Sequence, residues 1–180
     1  MRFIIVLTVA ITLAFPAISR DIVQAELSAL RANMAEFVHA LETKRMLRVM
    51  ATVPPSVMAQ IAKNAGTTPK QLIREIANDM KDVMEDVQFL EMDIRTDGLD
   101  VRGGKSTDGT QVIFTFVPMN FEMDVKGSHF KVTSSVLALL ENGTWYFLRV
   151  EDEEQRKILE AIYPFFRKVQ FPVGEMTQTE

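Results

Sequence analysis

The hydrophobic pattern of this chain changes period once, near Val87, and this change constrains the fold more than any other feature. Before Val87, apolar residues recur every three or four positions, which is the period of an amphipathic helix. After it, Leu90, Met92 and Ile94 alternate with charged residues, which is the period of a half-buried strand. We therefore predict helices in the first half of the chain and a sheet in the second.

Several helices are expected before the change of period. The first carries a stripe that core packing explains without a coiled coil, formed by Val23, Leu27, Leu30, Met34, Phe37 and Leu41. Two prolines separate short helices over 46–51 and 56–64. The pattern Thr68-Pro69-Lys70-Gln71 is typical of a capping box with proline at the first helical position, so a longer helix should run from here to Glu85.

Turn-forming pairs divide the second half into antiparallel strands. Lys126-Gly127 and Asn142-Gly143 both lie between strand-like runs, and the second pair is a strong hairpin signal. Asp152 can cap a short final helix. The predicted class is α+β, with N-terminal helices packed on an antiparallel sheet of about four strands and a short C-terminal helix. One domain is expected over residues 20–174, followed by a flexible tail over 175–180.

The first nineteen residues have the pattern of a secretory signal peptide. Arg2 precedes an apolar run from Phe3 to Phe15, and Ala17-Ile18-Ser19 offers small residues for cleavage after Ser19. The run has 13 residues, whereas a membrane-spanning helix needs about 20, which argues against a retained anchor. We expect a mature protein that begins at Arg20, has no stable membrane anchor, and is periplasmic or secreted.

The charge and residue counts argue against several partners and cofactors. Lysine and arginine total 20 against 24 acidic residues, a net charge of −4, which disfavours nucleic acid or an anionic membrane surface as a partner. The chain has no cysteine and only two histidines, His39 and His129, so neither disulfides nor a transition-metal site are expected. No cofactor motif is present, and we predict no cofactor.

The order of the predicted elements resembles the nuclear-transport-factor-like cone fold, which ketosteroid isomerases and polyketide cyclases share. The residues from Met46 to Gly66 match its early helices, and 142–147, with Gly143 and Trp145, match its last hairpin. The resemblance implies a strongly curved sheet that wraps around the helices and leaves a conical pocket. The chain is also similar to uncharacterised exported bacterial proteins in its runs 68–72 and 145–152, a likeness that implies no activity.

A cone-fold enzyme would carry an Asp, His or Tyr inside its pocket, and the predicted inward face of the long strand has only Thr115 as a polar member. The candidate pocket residues are Thr115, Met119, Phe121, Met123, Trp145 and Arg149. Arg149 could anchor an anion, but a surface ion pair with Glu151 or Asp152 is the favoured interpretation. The chain has eleven methionines, which could line an adaptable pocket, although ordinary core filling is favoured.

These observations favour a non-enzymatic periplasmic binding or interaction module. Such a module would hold a small apolar ligand in the cone, or pair through its sheet with a protein partner or a second copy as a homodimer. The alternative is a small enzyme of the isomerase, dehydratase or cyclase type that acts on an apolar small molecule. The first function predicts an apolar cavity or an exposed apolar patch, and the second predicts a buried acid–base pair.

Overall fold

The computed structural model describes residues 18–19 and 22–179, and its first half is helical as expected. Gln71 donates its backbone N–H to Thr68 Oγ1 at 3.3 Å, and the Gln71 side chain accepts a hydrogen bond from the Thr68 backbone N–H. The predicted capping box is therefore confirmed. The helices of this half are α1 (Gln24–Glu42), α2 (Met46–Met50), α3 (Pro55–Asn64) and α4 (Pro69–Glu85).

One antiparallel sheet follows, curled into a half-barrel, and the predicted α+β class is confirmed. Its spatial order is β1-β3-β4-β5-β6, while β2 also pairs with β4 and β7 also pairs with β5. The sequence predicted about four strands, and the sheet has three further short ones, β1, β3 and β7. The strands are β1 (Ile18–Ser19), β2 (Val87–Ile94), β3 (Arg102–Lys105), β4 (Gln111–Val125), β5 (Ser128–Glu141), β6 (Thr144–Leu148) and β7 (Glu175–Thr179).

Two tight turns set the register of the three consecutive strands β4, β5 and β6. Lys126 and Gly127 have φ values of 53° and 84°, and Asn142 and Gly143 have values of 51° and 79°. Positive φ at both central residues is the geometry of the hairpin turn whose twist matches the flanking strands. Pro118 lies in β4 between the segment that pairs with β3 and the segment that pairs with β2. Because none of the described strands pairs with that edge of β4 at this position, the N–H that proline lacks is not needed for a hydrogen bond between strands.

The sheet is covered on both sides. Its first side, here called the cavity face, packs against α1, α2 and α4. Its second side, here called the packed face, is covered by α5 (Glu153–Ile162) and a 3₁₀ helix (Pro164–Lys168). Strand alternation assigns each residue of β6 to a face, so Trp145 and Phe147 are on the cavity face, whereas Tyr146 and Leu148 are on the packed face.

The end of the chain differs from the expectation of a loose tail over 175–180. Residues 175–179 form β7, which pairs with β5 from His129 to Thr133. Strand β6 pairs only with Leu137 to Glu141, so the other half of this edge of β5 is left for β7. Unpaired backbone groups on a strand edge favour such pairing, even for a segment without an alternating apolar pattern.

The predicted signal peptide lies mostly outside the described residues, because only its last two positions, Ile18 and Ser19, are included. These two residues pair with Gly103 and Arg102 of β3. Cleavage after Ser19 would therefore remove β1 and leave β3 at the edge of the sheet. Within residues 22–179, none of the helices combines the length and apolar character needed to cross a membrane.

Candidate functional site

A cavity of about 650 Å³ lies between the cavity face of the sheet and the helices, and it extends past the edge strand β6 to α3 and α5. Local periodicity builds its walls. Ile76, Met80 and Met84 follow one another at intervals of four residues on α4, so their side chains form a row on one side of that helix. Alternate residues of β4 form the facing wall, namely Met119, Phe121 and Met123.

Methionine is the most frequent residue type in the cavity wall. Eight of the eleven methionines line it, and they come from six different helices and strands: Met50, Met58, Met80, Met84, Met92, Met119, Met123 and Met176. The sequence favoured core filling for these residues, and seven of the eight do lie in or against the hydrophobic core, but all eight also border the cavity. Met34 and Met46 alone among the described methionines are buried in the core away from the cavity. Unbranched thioether side chains adjust easily to different contents, so this wall can adapt to its ligand.

One end of the cavity is polar. Arg149 Nη2 lies 2.5 Å from Glu151 Oε1, and the side chains of the two residues are 40% and 57% exposed. The ion pair between Arg149 and Glu151 predicted from the sequence is confirmed. Gln155 accepts a hydrogen bond from the Glu151 backbone N–H at 2.8 Å through its Oε1. This end therefore offers donors and acceptors while the ion pair carries no net charge.

The predicted pocket residues divide into two groups. Met119, Phe121, Met123 and Arg149 line the cavity, whereas Thr115 and Trp145 do not. The Thr115 hydroxyl is fully buried and donates to the Asp100 carbonyl at 3.0 Å. The Trp145 indole N–H donates to the backbone carbonyl of Glu26 at 3.1 Å and thereby fastens β6 to α1. Both of these side chains are structural contacts rather than cavity wall.

The helices supply half of the cavity, and the candidate residues chosen from the sequence came only from strands. Met80 and Met84 lie on the inward side of α4, which borders a void as well as the core. The signal that could have identified them is the recurrence of methionine on the buried face of successive elements. Periodicity alone does not distinguish a side chain in a filled core from one that borders a cavity.

A partly buried polar cluster lies away from the cavity and joins three parts of the fold. The Tyr163 hydroxyl is 2.9 Å from Ser56 Oγ and 3.4 Å from Glu141 Oε2. Burial raises the pKa of Tyr163 to about 12, and burial also raises the pKa of Glu141 above its ordinary value. None of the three residues lines the cavity, so the cluster serves to tie α3 and the end of α5 to β5.

Within residues 22–179, no group of three or more His, Asp or Glu side chains is placed to hold a metal ion.

Comparison of the chain with protein-family models, curated proteins and solved structures found no significant match. The likeness to the cone fold therefore stays a prediction that rests on the residues quoted above. Function has to be inferred from the geometry of the cavity.

Proposed function

We propose that this protein is a non-enzymatic binding protein that holds a small apolar molecule in its methionine-lined cavity. The observation that carries the proposal is the volume of about 650 Å³ within an apolar wall. Pockets that enclose small organic ligands have volumes of about 300–1,000 Å³. A strongly polar ligand would lose its hydrogen bonds to water against this wall without replacement, which disfavours it.

The polar end of the cavity supports a ligand with one uncharged polar group. Arg149 and Glu151 already neutralise each other, so a carboxylate would have to compete with Glu151 and an ammonium group with Arg149. A hydroxyl group can donate to Glu151 and accept from Arg149 without breaking the pair. The proposed ligand class is therefore an apolar chain or ring system with a single alcohol-like group.

Three further considerations bear on the alternatives. Both faces of the sheet are covered, which gives less support to pairing with a protein partner or a second copy through the sheet. The ionisable residues of the cavity wall, Arg149 and Glu151, are half-exposed and paired, so they suit an enzyme's buried acid–base pair poorly. The pattern of residues 1–19 supports the periplasm or the exterior as the site of action.

A dye titration with two matched tryptophan variants tests the proposal. Met80 borders the cavity, whereas Val83, on the same helix, is 69% exposed and does not. We expect wild-type protein and Val83→Trp to bind N-phenyl-1-naphthylamine with increased dye fluorescence. Met80→Trp fills part of the cavity with a larger side chain, so it should weaken dye binding by at least about tenfold. A tenfold loss corresponds to about 1.4 kcal/mol of binding free energy. Equal binding by all three proteins, or no binding by the wild type, would contradict the proposal.

Competition with three molecules of equal chain length tests the ligand class. We expect 1-decanol to displace the dye at lower concentrations than decanoate or decylamine. If decanoate competes best, Arg149 alone binds the polar group of the ligand. That result would overturn the proposed ligand class but would leave the apolar cavity as the binding site.

A further inference from the structure

A second concave site lies between α2 and α4, on a different surface from the apolar cavity. Its volume is about 440 Å³, and four cationic side chains line it: Lys44, Arg45, Arg48 and Lys81. All four are exposed. We call this site the cationic cleft. No acidic residue is among the residues that line it.

The cations of the cleft differ from half of the others in the part of the chain that the structure describes. Seven lysines and arginines elsewhere each lie within 4.0 Å of a carboxylate: Arg31, Arg95, Arg102, Lys126, Lys131, Arg149 and Lys157. Among the described residues, none of the four cleft cations has such a partner. The Lys44 ammonium group donates to the backbone carbonyl of Glu85, at 3.3 Å. The cleft therefore concentrates unneutralised positive charge.

The pattern of α4 extends this positive surface along the helix. With about 3.6 residues per turn, Lys70, Arg74 and Lys81 fall on one side of the helix. Asp82 falls about a quarter of a turn and Asp79 almost half a turn further round, while Glu85 is the one acidic residue of α4 on the basic side. A net charge of −4 thus conceals a local basic surface, and the expectation that the acidic chain avoids anionic surfaces does not apply to this region.

One exposed apolar side chain stands among these cations, since Met46 and Ala77, which also line the cleft, are buried. Leu47 is 60% exposed and lines the cleft between Arg45 and Arg48. Basic residues around an exposed large apolar residue match a phospholipid surface, where the cations meet phosphate groups and the apolar side chain enters the interface. A nucleic acid would use the cations through its phosphates but would leave Leu47 without an apolar partner.

We propose that the cationic cleft docks this protein reversibly on an anionic phospholipid surface through the phosphate headgroups, with Leu47 inserted at the interface. The inference does not depend on what the cavity binds. The same two helices carry Met50 and Met80, which border the apolar cavity. Docking would therefore place the helical wall of the cavity next to the membrane.

Two triple variants of the full chain with equal net charge test this proposal. The first is Arg45→Glu/Arg48→Glu/Lys81→Glu. The second, a control, is Lys63→Glu/Lys105→Glu/Lys168→Glu, which reverses three exposed cations outside the cleft. Flotation measures binding to vesicles of phosphatidylcholine with phosphatidylglycerol, and to vesicles of phosphatidylcholine alone. Since every protein carries the same N-terminal apolar run, differences between them report on the exchanged side chains.

We expect the wild type to bind the anionic vesicles and the cleft variant to bind roughly 100-fold more weakly, since each surface cation contributes about 1 kcal/mol. The control should stay within about threefold of the wild type, because separated charges are screened. Leu47→Ser should weaken binding by about fivefold through lost insertion. Equal binding by both triple variants would overturn the proposal, as would equal binding of the wild type to neutral vesicles. Retention of a single-stranded oligonucleotide without vesicle binding would overturn it too and reassign the cleft to a soluble polyanion.

Discussion

The two faces of one sheet are filled in opposite ways. On the packed face, the ring of Phe114 lies 5.2 Å from that of Phe165 and 4.9 Å from that of Phe166, while Phe165 and Phe166 are 4.5 Å apart. Tyr163 and Phe171 continue this cluster. On the cavity face, the same strands present methionines to a void of about 650 Å³. The packed face carries a filled aromatic core, whereas the core on the cavity face also borders a void.

This difference separates stability from binding within one small domain. Rigid rings in offset or edge-on contact bury much area with little loss of side-chain entropy, so they stabilise the fold. Methionines around a void make fewer contacts and keep more rotamer freedom, so they contribute less stability and leave room for a ligand. A change in the aromatic cluster should therefore mainly alter the free energy of unfolding, and a change at a methionine that borders the cavity should mainly alter binding.

The largest expected effect comes from removing a ring on the packed face. Phe166 is 1% exposed and contacts four other rings, so Phe166→Ala should lower the free energy of unfolding by about 3–5 kcal/mol. Met80→Ala, next to an existing void, should lower it by only about 1 kcal/mol. Urea unfolding followed by circular dichroism measures both values. Similar losses for the two variants would show that the faces do not differ as described.

An added methyl group tests how tightly the packed face is filled. A Cβ at Gly104 would overlap the ring of Phe165, so Gly104→Ala should cost about 1–3 kcal/mol of stability through overpacking. In Gly104→Ala/Phe165→Ala the overlap is absent, and the double variant should be more stable than the sum of the two single losses predicts. Strict additivity in the urea experiment would contradict this contact.

High pH should weaken the packed face selectively. The pKa of Tyr163 is raised by burial from 10.0 to about 12, so the folded protein retains a proton that the unfolded chain loses. Its stabilising contribution is complete below pH 10 and is lost as the pH rises through about 12. The stability difference between wild type and Tyr163→Phe should therefore shrink between about pH 9 and about pH 11. A constant difference in unfolding free energy over this range would argue against a buried phenol.

The smallest effect is expected at the polar end of the cavity. Glu151→Gln removes one partner of a half-exposed ion pair, so stability should change by less than about 1 kcal/mol. The freed Arg149 should improve competition by decanoate relative to 1-decanol by up to about fivefold, within the same energy range. An unchanged preference in the dye-displacement assay would mean that ligand head groups do not reach Arg149.

Much of the fold was predictable because its signals are local. The change of period at Val87, the capping box at Thr68 and the Asn142-Gly143 turn each depend on a few neighbouring residues, and the structure contains all three features. Strand β7 was not predictable, since its pairing depends on an edge of β5 that only the assembled sheet leaves open.

The cavity was predictable only in part, for a physical reason. Alternation placed Met119 and Phe121 on the correct face, and that face does border the cavity. The same alternation included Thr115, whose hydroxyl instead donates a hydrogen bond to the Asp100 carbonyl. Whether a buried face meets a neighbour or a void depends on the distance between layers, which a sequence pattern does not encode. The cationic cleft was missed because a net charge averages over separate surfaces.

The central claim, that one face of the sheet is a container for apolar molecules, is tested most directly by the methionine methyl groups. In protein with ¹³C-labelled methionine methyls, NMR spectra are recorded while 1-decanol is added. Our account predicts that signals from the cavity wall, such as those of Met80, Met84 and Met119, shift with saturation, while that of Met34, which is buried in the core and lines neither site, does not. Unchanged signals from the cavity methionines, or an equal shift for Met34, would contradict it.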